Sequence, residues 1–201
     1  MATVANVVED WCSGDSDRTA ILATELGVIV RWVNEAQLRF ADKTETVRSI
    51  WQPSIPSNGQ IALPTDFIRE VKNLIMWTTN WRLLQIDYPL AQMLLFSAPQ
   101  YYSIWNGTFY VWSPTAGTPN ICYIQKPTAI TTTTYATASL QIPTEYQHTL
   151  FLYFDSMNAR RQKDYAGSGV LLKQFDQECN EIYSQYKGHV DPVPMVNGSF
   201  F

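Results

Sequence analysis

Apolar residues recur at helical spacing along three stretches of this chain. Leu22, Leu26, Ile29, Val33 and Phe40 step by three, four or their multiples, which predicts one amphipathic helix over 18–41. Ser16 or Asp17 is placed to cap it. Tyr146, Leu150, Phe154 and Met157 form a second stripe. It opens behind Pro143, with Thr144 and Gln147 at capping-box spacing. Leu171, Leu172, Phe175, Cys179, Ile182 and Tyr186 form a third, and Gly188 is placed to stop it. The run Tyr165-Ala166-Gly167-Ser168-Gly169 reads as the break between the second and third helices. A single apolar stripe needs a surface to pack on, and these three supply one another's. Residues 16–45 and 143–187 are therefore expected to form an antiparallel bundle of three long helices. Residues 1–15 are small, polar and acidic, and are expected as an N-terminal arm.

Between the helices the pattern changes from helical to strand-like. Strands are expected over 46–51, 60–63, 69–77 with a hairpin into 81–84, 101–105, 108–112 and 120–125. Asp87 followed by Pro89 suggests a short helix whose buried side is Leu90, Met93 and Leu94. Asn106-Gly107 lies between two aromatic strands. A type I′ turn needs positive φ at both central positions, and this pair supplies it. Residues 126–142 are rich in Thr and Ala, have no apolar pattern before Leu140, and read as an extended, exposed connector. The fold expected is α+β, with an antiparallel β subdomain at 46–142 inserted into the helical domain. Residues 188–201 form an extended C-terminal tail. Pro192 and Pro194 exclude a helix there. Yet Val193, Met195, Val196, Phe200 and Phe201 are apolar, so the tail is expected to be ordered on a partner.

A chain of 201 residues is long enough for one good core. Its net charge of −4 comes without a basic stripe, which argues against a nucleic-acid-binding face. A duct that DNA traverses without adhering would suit such a lining. Cys12, Cys122 and Cys179 are odd in number and widely spaced, as reduced thiols from a cytoplasm would be. No basic-then-apolar leader opens the chain, and no run of ~18 apolar residues predicts a membrane span.

The search for chemistry yields no catalytic, cofactor or metal site. His148 and His189 are the only histidines, and neither has a partner at i+4. Gly167-Ser168-Gly169 completes neither a nucleophile elbow nor a dinucleotide loop. No phosphate-binding loop motif occurs. Asp176, Glu178 and Glu181 are expected on a solvated helix face, and Asp66 as an acceptor of backbone hydrogen bonds in its turn. Arg160, Arg161 and Lys163 suit the negative end of a helix dipole. Tyr101, Tyr102, Trp105, Tyr110 and Trp112 could form a sugar-stacking platform. Strand alternation is expected to leave only two or three of them on one side, which favours core and subunit packing.

Taken in order, four features resemble the head-to-tail adaptor proteins of tailed bacteriophages, including the tubular tail protein beside the portal of short-tailed phages. They are the N-terminal amphipathic helix 18–41; Leu63-Pro64-Thr65-Asp66-Phe67, similar to an L-P-x-D-F pattern, with a hairpin after it; the segment from Pro99 to Pro114, similar to P-x-x-Y-x-I-x-G-x-x-L-x-L-x-P; and Ile142-Pro143-Thr144-Glu145-Tyr146 opening paired helices. Gly107 and Pro114 match, while Phe109 and Val111 or Trp112 replace aliphatic residues.

The resemblance implies a structural virion protein of the neck, made in the host cytoplasm, with no enzymatic activity and no cofactor. Such proteins form a ring, usually of twelve subunits, beneath the portal protein ring. The ring extends the DNA channel, which DNA passes through without sequence-specific binding, and carries the tail nozzle or another tail protein. On that reading Pro192, Val193, Pro194, Met195, Val196, Phe200 and Phe201 dock on the portal or a neighbouring subunit. Tyr146, Phe154, Phe175 and Tyr186 would pack the ring, and Trp105, Asn106 and Gly107 would face the tail. The alternatives are another neck or tail-tube component or, from a different class, a carbohydrate-binding β module.

Overall fold

The computed structural model describes residues 3–78, 81–92, 101–112 and 117–190. Among them the chain is α+β, with six α-helices and two four-stranded sheets. It divides into two compact units, Met1–Thr46 with Pro127–Phe201, and Val47–Lys126. The first holds α1 (Val4–Cys12), α2 (Ser16–Thr24), α3 (Leu26–Thr44), α5 (Thr149–Arg161) and α6 (Tyr165–Val190). The second holds α4 (Tyr88–Ala91) and all eight strands.

The expected N-terminal arm is a helix. Val4, Val7, Val8, Trp11 and Cys12 are all buried, and their spacing is a complete helical stripe. Glu9 and Asp10 lie on the exposed side. Composition concealed the stripe because polar residues separate its members. Thr3 caps α1 by accepting from the Asn6 amide at 3.3 Å.

The single helix expected over 18–41 is two. Asp15, not Ser16 or Asp17, caps α2, accepting from the Asp17 and Arg18 amides at 2.9 and 3.0 Å. Glu25 leaves the helical region at φ −134°. Its amide donates to the Ile21 carbonyl and its own carbonyl accepts from Val28, both at 2.8 Å, so one residue closes α2 and opens α3. Ile21 and Ile29 face the same core on either side, which is why the apolar period runs through the break unmarked.

The turn between α5 and α6 also differs from expectation. α5 ends at Arg161 with Lys163 in the left-handed region at φ 65°. The Asp164 amide reaches back to Ala159 and the Lys163 amide to Arg160, a Schellman closure with lysine in the usual glycine position. Asp164 then caps α6, accepting from the Gly167 amide at 2.8 Å. Gly167 to Gly169 thus lie inside the first turns of α6. A Cβ on Gly167 would stand 2.1 Å from Asp164 Oδ2, so the glycine leaves room for the cap. Nor does Gly188 stop α6, which runs to Val190. A helical glycine costs only about 1 kcal/mol relative to alanine. The capping box at Thr144 is replaced by a 3-10 turn over Thr144–Tyr146, and the buried Gln147 side chain donates through Nε2 to the Ile142 carbonyl at 3.2 Å.

Residues 127–142 are exposed over much of their length, Thr131 to Thr134 included, as expected, but they are not merely a connector. Ile130, Tyr135, Leu140 and Ile142 are buried in the helical core. The Asn34 side-chain amide grips the Ile130 backbone with two 2.8 Å bonds, giving to its carbonyl and taking from its amide as a strand neighbour would. Ile130 and Gln141 take backbone partners from α3, and the turns over 131–138 close on themselves, so the segment needs no apolar period of its own.

Trp11 stands at the middle of this core. Its ring meets Trp32 and Phe154 edge-on, with centroids 6.4 and 5.5 Å apart. Its indole N–H donates to Asp155 Oδ1 at 2.7 Å. The Arg18 guanidinium bonds the same carboxylate at 2.9 Å, donates to the Trp11 carbonyl at 2.9 Å, and lies 5.1 Å over the indole. One carboxylate from α5 therefore ties α1 and α2 together. A second ion pair joins α3 to α6, with Arg39 bidentate on Asp176 at 3.0 and 2.7 Å and Lys43 at 3.4 Å. Asp176 is thus paired rather than part of a solvated acidic face.

The second unit is two sheets with a shared core of Ile55, Ile75, Leu83, Tyr102, Phe109, Val111 and Ile121. The strands are β1 (Arg48–Trp51), β2 (Gln60–Ala62), β3 (Phe67–Thr78), β4 (Trp81–Arg82), β5 (Leu84–Gln85), β6 (Tyr101–Trp105), β7 (Thr108–Trp112) and β8 (Asn120–Gln125). Their order is β1-β8-β3-β4 in one sheet and β2-β7-β6-β5 in the other. All pairs are antiparallel except β5 with β6, which α4 separates in sequence as a parallel pair requires. Asp66 accepts from Tyr123 Oη at 3.1 Å and Gln125 Nε2 at 2.8 Å, so its carboxylate serves side chains of β8 and not its own turn.

Two outcomes test this account. Lys163→Gly relieves the left-handed strain of a β-carbon, partly offset by a freer unfolded chain, and should raise stability by about 0.5–1 kcal/mol. A thermal melt checks it, and a lower Tm would refute the Schellman assignment. Asp155→Ala removes the shared acceptor and should cost about 2 kcal/mol by denaturant midpoint. In a double-mutant cycle with Arg18→Met the two losses should fall well short of adding.

Candidate interaction site

The β6–β7 hairpin turns at Asn106 and Gly107, with φ of 47° and 72°, the left-handed pair of a type I′ turn. Its register sets Tyr101 opposite Trp112, Ser103 opposite Tyr110 and Trp105 opposite Thr108. Cross-strand partners share a face. Tyr101, Trp105, Tyr110 and Trp112 therefore all lie on one side, and Tyr102 alone of the five faces inward, with Phe109 and Val111. The expectation that at most three would share a side is overturned. Alternation had been counted along each strand, but pairing decides which parity of one strand meets which of the other.

α4 lays a fifth aromatic residue on this face. Tyr88 stacks on Trp105 at 5.8 Å and 6°, and its ring lies 4.6 Å from Tyr110 and 5.7 Å from Trp112. Tyr110 and Trp112 stack in turn at 6.1 Å and 13°. The Trp112 indole donates to Ser103 Oγ at 3.0 Å, and that hydroxyl donates to the Ile86 carbonyl at 2.6 Å. The cluster is thus held as a unit by the chain between β5 and α4. Around it Trp105 and Leu84 are 53% exposed and Leu90 is 50% exposed. Leu90 had been expected on the buried side of α4, where Ala91 stands instead; Met93 and Leu94 lie outside the described residues. No sequence signal marked Tyr88, because its partners come from strands 13 or more residues away.

The other expected contact residues divide. Phe154 and Phe175, expected to pack a ring, are 1% and 0% exposed and belong to the core of their own subunit. Phe175 meets Tyr153 edge-on at 5.5 Å. Each lies at the centre of its stripe, where packing between helices of one chain leaves no surface for a neighbour. Tyr146 is half-buried against Phe40, with centroids 6.4 Å apart, and Tyr186 is half-buried on α6. Pro192, Val193, Pro194, Met195, Val196, Phe200 and Phe201 lie outside the described residues.

A cleft of about 470 Å³ opens beside α3 and α5, lined by Val28, Trp32 and Met157 and rimmed by Glu25, Glu35, Arg31, Arg160 and Arg161. Its charges are engaged in part, Arg161 with Glu25 and Glu35 with the Tyr153 hydroxyl. No nucleophile with an adjacent base lies in it. Among the described residues no three His, Cys, Asp or Glu side chains stand where they could hold a metal ion, and no helix is long and apolar enough to cross a membrane. His148 is exposed, and nothing assembles around it.

What the hairpin face presents is surface of the kind found where proteins meet. Residues 1–195 match the model of the SU10 adaptor protein family. The chain belongs to that family, which is one of bacteriophage structural adaptor proteins. A comparison with curated proteins gives no match.

The buried titratable groups give a pH signature. Burial pushes the Cys179 thiol from its ordinary 9.0 to about 12. It raises the Tyr135 and Tyr153 phenols from 10.0 to about 12, with Glu9 and Glu35 respectively adding to the rise. All three keep their protons in the fold beyond the pH at which the unfolded chain releases them. Stability is therefore full below pH ~9 and falls between ~9 and ~12, by up to about 1.4 kcal/mol per pH unit for each group titrating. Denaturant midpoints measured at pH 8, 9.5 and 10.5 should descend, and native Cys12 and Cys179 should resist thiol reagents until the protein unfolds.

Proposed function

We propose that this protein is a head-to-tail adaptor. Copies form a ring beneath the portal, extend its DNA channel and present the surface on which the tail is built. The observation that carries the reading is the family match across residues 1–195, which takes in both units of the chain. Three features support it. The helical unit closes a complete core within one chain, as a subunit stored as a monomer before assembly needs. The second unit carries an exposed aromatic face, the kind of surface enriched where proteins meet. The apolar, proline-containing residues 191–201 follow directly on α6 and suit docking on a partner.

In this arrangement Tyr146 and Tyr186 contact neighbouring copies, and Trp105, Asn106 and Gly107 look toward the tail. Residues 192–201 engage the portal or an adjacent subunit. The role requires no catalysis and no cofactor. The mild acidity of the chain lets DNA pass without adhering. Another neck or tail-tube component would use the same surfaces with a different partner.

The mass of the protein, alone and mixed with portal rings from the same particle, tests the proposal. The expected result is a monomer alone that joins the portal as a ring of subunits, with no such complex once residues 191–201 are deleted. Full-length protein that ignores the portal, or a truncated chain that still joins it, would overturn the corresponding claim.

A further inference from the structure

The sheet β2-β7-β6-β5 has no charged residue in any of its strands, and between Arg82 and Lys126 the chain carries one charge, Asp87. That carboxylate directly precedes Tyr88 of the aromatic cluster. It is exposed, makes no side-chain cap on α4, and has no cation paired with it among the described residues. A lone anion therefore adjoins Tyr88, Trp105, Tyr110 and Trp112 on a surface otherwise without charge.

Both features attract a cation. Each ring presents a negative π face, and tryptophan binds a cation best of the aromatic side chains. Tyr88 covers one face of Trp105 in a near-parallel stack, at 5.8 Å and 6°, yet Trp105 remains half-exposed, so its other face is open. Elsewhere the chain fills such positions from within, with Arg18 5.1 Å over Trp11 and Lys187 5.5 Å over Tyr183. The hairpin sheet has no cation of its own to do the same.

A protein that covered this face with apolar side chains alone would strip water from Asp87 and put nothing in its place. The partner must therefore bring a positive charge. Arginine suits both features, because its guanidinium is planar, stacks on aromatic faces, pairs with carboxylates and is weakly hydrated. Leu84 and Leu90, both at least half-exposed, offer apolar contact beside it. We infer that this face is the docking site for a protein segment presenting an arginine, whose guanidinium stacks on the open face of Trp105 and whose charge answers Asp87. The inference gives the partner's chemistry for the tail-facing role of the hairpin, and it rests on the proposed function for the partner's identity alone.

The test titrates the full-length protein, nitrogen-labelled for NMR, with the peptide acetyl-Leu-Arg-Leu-amide and with its citrulline counterpart, which keeps the shape and loses the charge. The arginine peptide should saturably shift the hairpin amides and the Trp112 indole, and bind about tenfold more tightly than the citrulline peptide. Asp87→Asn, at an exposed position with no partner to lose, should reduce that preference to about threefold. Trp105→Leu keeps apolar area but removes the ring, and should also leave about threefold. Equal binding of the two peptides by the unaltered chain, a preference unchanged in both variants, shifts centred outside 84–92 and 101–112, or no saturable shift at millimolar peptide overturns the inference. A neutral oligosaccharide that shifts the same resonances and excludes the arginine peptide assigns the face to sugar and overturns it as well. Portal joining is read from the mass measurement, so either reading can fail while the other stands.

Discussion

A buried indole N–H must find an acceptor, and in this protein the acceptor decides how the helical unit closes. Trp11 brings a large apolar ring to the centre of that unit together with one donor that cannot be left unmet. Asp155 meets it from α5, and this half-buried carboxylate is paired with a cation, which Arg18 supplies from α2. Arg18 in turn caps its own surroundings by bonding the Trp11 carbonyl and lying over the ring. Two neighbouring helices and a third far along the chain are set by one donor, one acceptor and one counter-charge. Ser156 and Ser168 make the neighbouring contact between α5 and α6 with small side chains and a 2.9 Å bond from Ser156 Oγ to the Ser168 carbonyl, so two helices can approach closely there.

The second unit solves a different problem. Strands of two to six residues, with one of twelve, cannot make a large core, and the two sheets share a small one around Phe109, Tyr102 and Ile121. Aromatic residues carry much of the burial because each covers more area than an aliphatic of the same backbone length. The same economy of length leaves the outer side of the hairpin aromatic. There the rings stabilise one another by stacking while keeping an exposed edge. The helical unit shows the opposite balance, with its largest rings wholly inside and its surface charges paired across helices.

Much of the secondary structure was legible in the amino-acid order. The stripes of α3, α5 and α6, the strands flanking Asn106-Gly107 and the strand 120–125 follow from local spacing and turn chemistry, and each is present. These signals are local because the forces behind them act within one turn or one hairpin. α1 was also written in the order, as Val4, Val7, Val8, Trp11 and Cys12, but beneath an acidic and polar composition that suggested an arm.

Tertiary structure decided the rest. It broke one helix at Glu25, where the break is stabilised by an ion pair with Arg161 from a distant helix. It drew Ile130, Tyr135, Leu140 and Ile142 into the core, with Ile130 held by the Asn34 amide, a bond between residues 96 positions apart that no window of sequence contains. It buried Phe154 and Phe175 within the subunit, since a stripe specifies a face but not whether its partner is the same chain or another. It also gathered Tyr88 and the hairpin aromatics into one exposed cluster, because cross-strand register, not alternation along a strand, sets which side chains share a face. The sequence by itself determined which segments would be helix or strand and which residues would seek burial. Only the folded chain determined which of those residues found their partners at home and which were left facing outward.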